Sequence, residues 1–105
     1  MYYYGMRLRP FGIGCQPKDC VYRVEGVVAE GYWDIIAYER KLSEDEMYQY
    51  DLDDVTNAGW ALTANGSFQP ESEYDNLSDA LYVRTEWEAF DKEHGEECSY
   101  KIVML

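Results

Sequence analysis

Between residues 43 and 97 this chain carries sixteen carboxylates and two cations, Arg84 and Lys92, for a net charge of −14. Any fold must keep nearly all of those carboxylates in water, because burying an unpaired charge is expensive. Residues 1–42 carry Arg7, Arg9, Lys18, Arg23, Arg40 and Lys41 against five carboxylates, a net of +1. With Lys101 the total is −12. The chain is nevertheless 47% hydrophobic and 16% aromatic, too apolar for a disordered acidic tail. The acid therefore sits on something folded. At 105 residues the expectation is a single domain over residues 1–105 with one modest core between two layers. Its field repels nucleic acid and anionic membrane and attracts basic protein surfaces.

Apolar periodicity predicts an α+β fold, with a small antiparallel-leaning sheet of four to six strands and two helices on one face. Tyr2, Tyr4, Met6 and Leu8 alternate with Tyr3, Gly5, Arg7 and Arg9, a half-buried first strand that Pro10 ends. Phe11 to Asp19 is a loop rich in Gly and Pro. Cys20 to Val28 reads as a second strand with a bend at Gly26. A third begins at Gly31 and runs Tyr32 to Tyr38, apolar on both faces and so central. Ser43 and Glu46 form a capping box for a short helix ending near Tyr50, with Leu42 and Met47 as its hydrophobic staple. Asp51 to Gly59 is expected to unwind. Trp60–Ala64 and Ser67–Gln69 flank Asn65-Gly66 as a hairpin. Pro70 to Asn76 reads as an acidic connector. Ser78 is the expected cap of a longer helix whose core face is Ala80, Val83, Trp87, Phe90 and His94, with Gly95 just past its end. Tyr100 to Leu105 is a terminal strand expected to insert into the sheet.

Little here suggests catalysis, and the expectation is a protein that is not an enzyme and needs no cofactor. His94 is the one histidine, at the end of a helix, where a structural role is usual. A nucleophile pair of His94 with Cys98 or Cys15 lacks any surrounding motif. Three cysteines, an odd number, argue against a closed disulfide framework. Cys15, Cys20, His94 and Cys98 compose a loosely spaced alternative zinc site. Asp51-Leu52-Asp53-Asp54 fails the calcium-loop pattern, since Val55 and Thr56 stand where an oxygen ligand and Gly are needed. Without a basic n-region and apolar stretch at Met1-Tyr2-Tyr3-Tyr4-Gly5, or an apolar run of about 20 residues, the expectation is a cytoplasmic protein.

The carboxylates themselves are the strongest functional signal. A solvated face that keeps a small protein soluble is the plain explanation, but solubility needs no separation of sign. The sharper explanation is imitation of nucleic acid. Asp79, Glu86 and Glu93 recur every seven residues, about 10.5 Å apart along a helix. The expected contact set is Asp45, Glu71, Glu73, Asp75, Asp79, Glu86 and Glu93, with Tyr74 and Tyr82 as aromatic anchors. The expected partner is a host protein with a basic nucleic-acid-binding cleft, with no direct contact to nucleic acid or membrane.

Two blocks carry a resemblance. Tyr2 through Pro17 (YYYGMRLRPFGIGCQP) is one, and Tyr32 through Ser43 (YWDIIAYERKLS), on to Leu52-Asp53, is the other. Together they resemble short phage and mobile-element proteins of Firmicutes. In size, charge and apparent genetic setting the chain is similar to anti-CRISPR inhibitors of Cas9-type nucleases. The resemblance implies an inhibitor acting on arginines such as those that read the short duplex motif beside a Cas9 target. A generic interaction module of a mobile element, monomer or dimer, is the alternative, and a small zinc protein is a third.

Overall fold

The computed structural model describes residues 1–9, 15–65 and 67–105, with backbone alone for residues 67–71. The expected stop at Pro10, much of the loop from Phe11, and Gly66 lie outside the described residues. The chain forms two compact units: Met1–Glu25 with Ala29–Thr56, and Gly26–Val28 with Asn57–Leu105. Each holds one four-stranded sheet and one helix, and the pairing is mostly antiparallel. The class is α+β. The strands divide between two sheets with one helix each, where the sequence suggests one sheet of four to six strands with both helices on one face.

Unit 1 contains β1 (Tyr2–Met6), β2 (Cys20–Val24), β4 (Asp34–Tyr38), α1 (Glu44–Gln49) and β5 (Leu52–Asp54). The order in its sheet is β2-β4-β1-β5. β4 is central, and Ile35, Ile36, Ala37 and Tyr38 are all buried, as its two apolar faces require. Period-two alternation puts Tyr4, Met6, Ile36, Tyr38, Leu42 and Leu52 into one cluster. Their polar ends are satisfied: the Leu42 amide donates to Tyr4 Oη (2.8 Å), and Tyr38 Oη donates to the Pro17 carbonyl (2.7 Å). On the opposite face of β1 the Tyr32 ring lies against Gly5, so closely that a Cβ there would stand 2.5 Å from Tyr32 Cδ1. Tyr32 Oη donates to Asp53 Oδ2 at 2.8 Å, which holds the ring in place. Trp33 sits before β4 and is exposed, so it does not share the buried face of Ile35 and Ala37. The Ser43–Glu46 capping box is present in both directions. After α1 the chain turns at Asp51 (φ +54) and pairs as β5 with β1, where the sequence predicts unwinding. Three residues are too few for a recognisable alternation.

Unit 2 contains β3 (Val27–Val28), β6 (Trp60–Ala64), β7 (Ser67–Tyr74), α2 (Leu77–Glu93) and β8 (Tyr100–Met104), in the sheet order β3-β8-β6-β7. The expected strand from Cys20 to Val28 is broken at Gly26 (φ +68), where a left-handed backbone favours glycine. The terminal strand does insert, between β3 and β6. The hairpin is longer than expected, because β7 continues through Pro70 to Tyr74 and pairs Glu73 with Ala61 and Tyr74 with Trp60. A proline is compatible with this position because β7 is an edge strand. Trp60, Ala61, Leu62, Leu77, Ala80 and Ile102 are buried.

Candidate functional site: an acidic and aromatic helix face

The helix α2 begins at Asn76, whose side-chain carbonyl accepts from the Asp79 amide at 2.9 Å. Asn76 is therefore the cap, not Ser78. An Asn here satisfies an orphan amide as well as a serine does, and the choice places Leu77 as the first buried residue. The rotation of the helix follows from that start. Its inner side is Leu77, Ala80, Arg84, Trp87 and Asp91, with Leu77, Ala80 and Asp91 buried.

Two charged residues on an inner face are unusual, and each has partners. Tyr100 Oη donates to Asp91 Oδ2. That bond, with burial, pushes the Tyr100 hydroxyl well above its ordinary range. The Trp87 ring meets Tyr100 edge-on at 5.6 Å. Arg84 Nη1 donates to the Gly26 carbonyl (3.1 Å), and its Nε stands 3.7 Å from Glu88. These polar groups take places that apolar periodicity would assign to hydrophobes. Phe90 and His94 are consequently not on the core side. Phe90 is 57% exposed, and His94, the C-cap, stacks on it at 4.1 Å.

The outer face is then Asp79, Tyr82, Glu86, Phe90 and Glu93. The intervals are three, four, four and three residues, so each side chain neighbours the next on the helix surface. Tyr82 is 67% exposed, and the three carboxylates are exposed as well. Asp79 Oδ2 accepts from Asn76 Nδ2 at 3.0 Å. Asp79, Glu86 and Glu93 take part in no ion pair found among the described residues.

The other expected contact residues fall elsewhere. Glu73 is exposed on β7, Tyr74 is half-buried there, and Asp75 is exposed before the cap. Glu71 lies on β7, and its side chain is outside the described residues. Asp45 belongs to α1 in unit 1. Phe90 is the residue that sequence reasoning missed. Its spacing of four from Glu86 and eight from Tyr82 was a usable signal, but a bulky ring reads first as core.

The charge separation also changes on folding. Glu44, Asp45, Glu46, Asp51, Asp53 and Asp54 fold into unit 1, the unit that also carries Arg7, Arg9, Arg23 and Arg40. Arg40 makes a two-pronged contact with Glu46 (2.7 and 2.9 Å) and approaches Asp19 at 3.6 Å. That contact and the Ser43 amide hold the Glu46 carboxyl down at about 2. Arg7 stands 3.7 Å from Asp51 and 3.8 Å from Asp53, and Arg23 is 3.4 Å from Asp34. Unit 1 nets −5 from eleven carboxylates and six cations, and unit 2 nets −7 from ten carboxylates against Arg84, Lys92 and Lys101.

An open depression of about 550 Å³ is lined in part by Glu88, Asp91, Lys92, Glu96, Glu97 and Cys98. Among the described residues no group of three or more His, Cys, Asp or Glu side chains is arranged to hold a metal ion. Cys15 and Cys20 belong to unit 1, and His94 and Cys98 to unit 2. Burial pushes the Cys20 thiol up, away from the nucleophilic thiolate. No helix among the described residues is long and apolar enough to cross a membrane.

No curated protein and no solved structure matches the chain. Residues 1–57, just over half of it, match a family model described as Defence against restriction A C-terminal. The matched stretch covers the whole of unit 1, along with Gly26–Val28 and Asn57 of unit 2, and leaves α2 outside. The match agrees with the phage association that the N-terminal blocks suggested, and the chain belongs to the Defence against restriction A C-terminal family, a phage-associated domain.

Proposed function

We propose that this protein is a non-enzymatic phage inhibitor that occupies the basic nucleic-acid-binding cleft of a host nuclease and thereby excludes DNA. Family membership supports the coarser part, a function related to phage defence against restriction. Charge and geometry support the finer part. The single observation that carries it is the outer face of α2, where Asp79, Glu86 and Glu93 stand about 10.5 Å apart without ion-pair partners among the described residues. A cleft lined with Arg and Lys to hold phosphates would attract such a row with fast, salt-sensitive association. The target is a nuclease that acts on incoming DNA, with restriction enzymes and Cas9-type enzymes as the two classes to try.

The two halves of the chain divide the work in this reading. Unit 1 carries the family's sequence, and unit 2 carries the decoy charge. A pull-down of each nuclease class with the full chain, at low and at high salt, tests it. Retention at low salt and release at high salt is the expected result. Failure of both classes to bind at low salt overturns the proposal. A stable homodimer in native mass spectrometry that ignores basic partners would favour the interaction-module alternative instead.

A further inference from the structure

We infer that the outer face of α2 recognises arginine side chains in particular, by pairing each guanidinium with an aromatic ring and a carboxylate one helical turn away. The inference rests on the reading above for its biological setting and names the partner chemistry of the same surface. The order along the face is carboxylate, ring, carboxylate, ring, carboxylate: Asp79, Tyr82, Glu86, Phe90, Glu93. Residues three or four apart on a helix have Cβ atoms about 5–6 Å apart. Each ring is therefore flanked above and below by an acid. A planar guanidinium can lie on a ring face and still present its N–H fork to the adjacent carboxylate. An ammonium is a compact, strongly hydrated point charge that uses the carboxylate well and the ring poorly.

Exposure fits that use. Tyr82 is 67% and Phe90 57% exposed, and His94 already covers one face of the Phe90 ring at 4.1 Å. Charge selects among the possible occupants. A second copy docking through the same face would set three carboxylates against three, which is repulsive. Nucleic acid is repelled for the same reason. What remains is a protein surface bearing guanidinium groups within a span of about 21 Å, the length of helix from Asp79 to Glu93.

The test uses the full chain and two labelled probe peptides, nona-arginine and nona-lysine, followed by fluorescence anisotropy at matched salt. The expected result is that nona-arginine binds about tenfold tighter than nona-lysine. The double substitution Tyr82→Leu with Phe90→Leu should bring that ratio close to one and leave the lysine affinity nearly unchanged. Glu86→Gln should weaken both peptides. Equal affinity of the unaltered chain for the two peptides overturns the inference, as does a preference that survives loss of both rings. Because no nuclease is used, the two proposals fail separately. A nuclease that does not bind while the arginine preference holds removes the preceding proposal and supports this one.

Discussion

Unit 1 and unit 2 treat the same kind of residue in opposite ways. In unit 1 the carboxylates that look most concentrated in sequence, Glu46, Asp51 and Asp53, face Arg7, just after β1, and Arg40, in the segment before α1. In unit 2 the acids of α2's outer face project into water beside exposed rings. Unit 1 sets Glu46, Asp51 and Asp53 against arginines, with a capping box completed by Arg40, while in unit 2 Glu88 and Asp91 meet Arg84 and Tyr100 and the outer-face acids of α2 make no ion pair among the described residues. An acidic composition therefore does not identify an acidic binding surface. The candidates for one are the acids that folding does not pair with a cation.

Substitutions can break or sharpen that contrast. The largest effect is expected in the core of unit 2. Trp60 is fully buried, and Trp60→Ala should cost about 3–5 kcal/mol in chemical denaturation, with amides of β6 and β8 losing protection in hydrogen exchange. An equal loss at β1 and β4 would show that the two units unfold as one, which weakens any division of labour between them.

Gly5→Ala probes unit 1. Its new Cβ meets the Tyr32 ring at 2.5–2.6 Å, and the ring is held by Asp53, so a loss of about 1–3 kcal/mol is expected. A neutral result would mean that Tyr32 swings away freely.

Asn76→Ala removes the side chain that caps α2 and should cost about 1 kcal/mol by the same measurement. It should also weaken nona-arginine binding slightly, through fraying of the turn that carries Asp79.

The smallest effect is a pH dependence in unit 1. Glu46 titrates near 2 in the folded protein, below its ordinary value of 4.5. Its stabilising contribution is complete above pH 4.5 and declines as pH falls toward 2. The stability difference between the unaltered chain and Glu46→Gln should shrink over that window in an acid denaturation series. A difference that stays constant would show that the Arg40 contact contributes nothing through charge.

Local signals were legible wherever a short stretch carried its own rule. The Ser43–Glu46 capping box, the two-faced apolar strand at Ile35–Tyr38, the bend at Gly26 and the apolar terminal strand all appear where their residues predict. Two of the misreadings, β5 and the rotation of α2, share a cause, which is that partners far along the chain overrode local pattern. β5 forms because β1 offers an open edge at Tyr4, Gly5 and Met6, not because Leu52-Asp53-Asp54 alternates. β7 runs through Pro70 because its outer edge needs no ladder hydrogen bond there. The rotation of α2 was missed because Tyr100 stabilises Asp91 and the Gly26 carbonyl receives Arg84, which lets two charged residues occupy the inner side.

The sequence alone determined the class of the fold, the sign of the surface and the first helix, because strand alternation, charge count and capping are properties of neighbours in the chain. Tertiary structure alone decided which carboxylates stay unpaired and which way the long helix faces. Both depend on arginines, a tyrosine and a backbone carbonyl brought from distant positions, and no local pattern records those encounters.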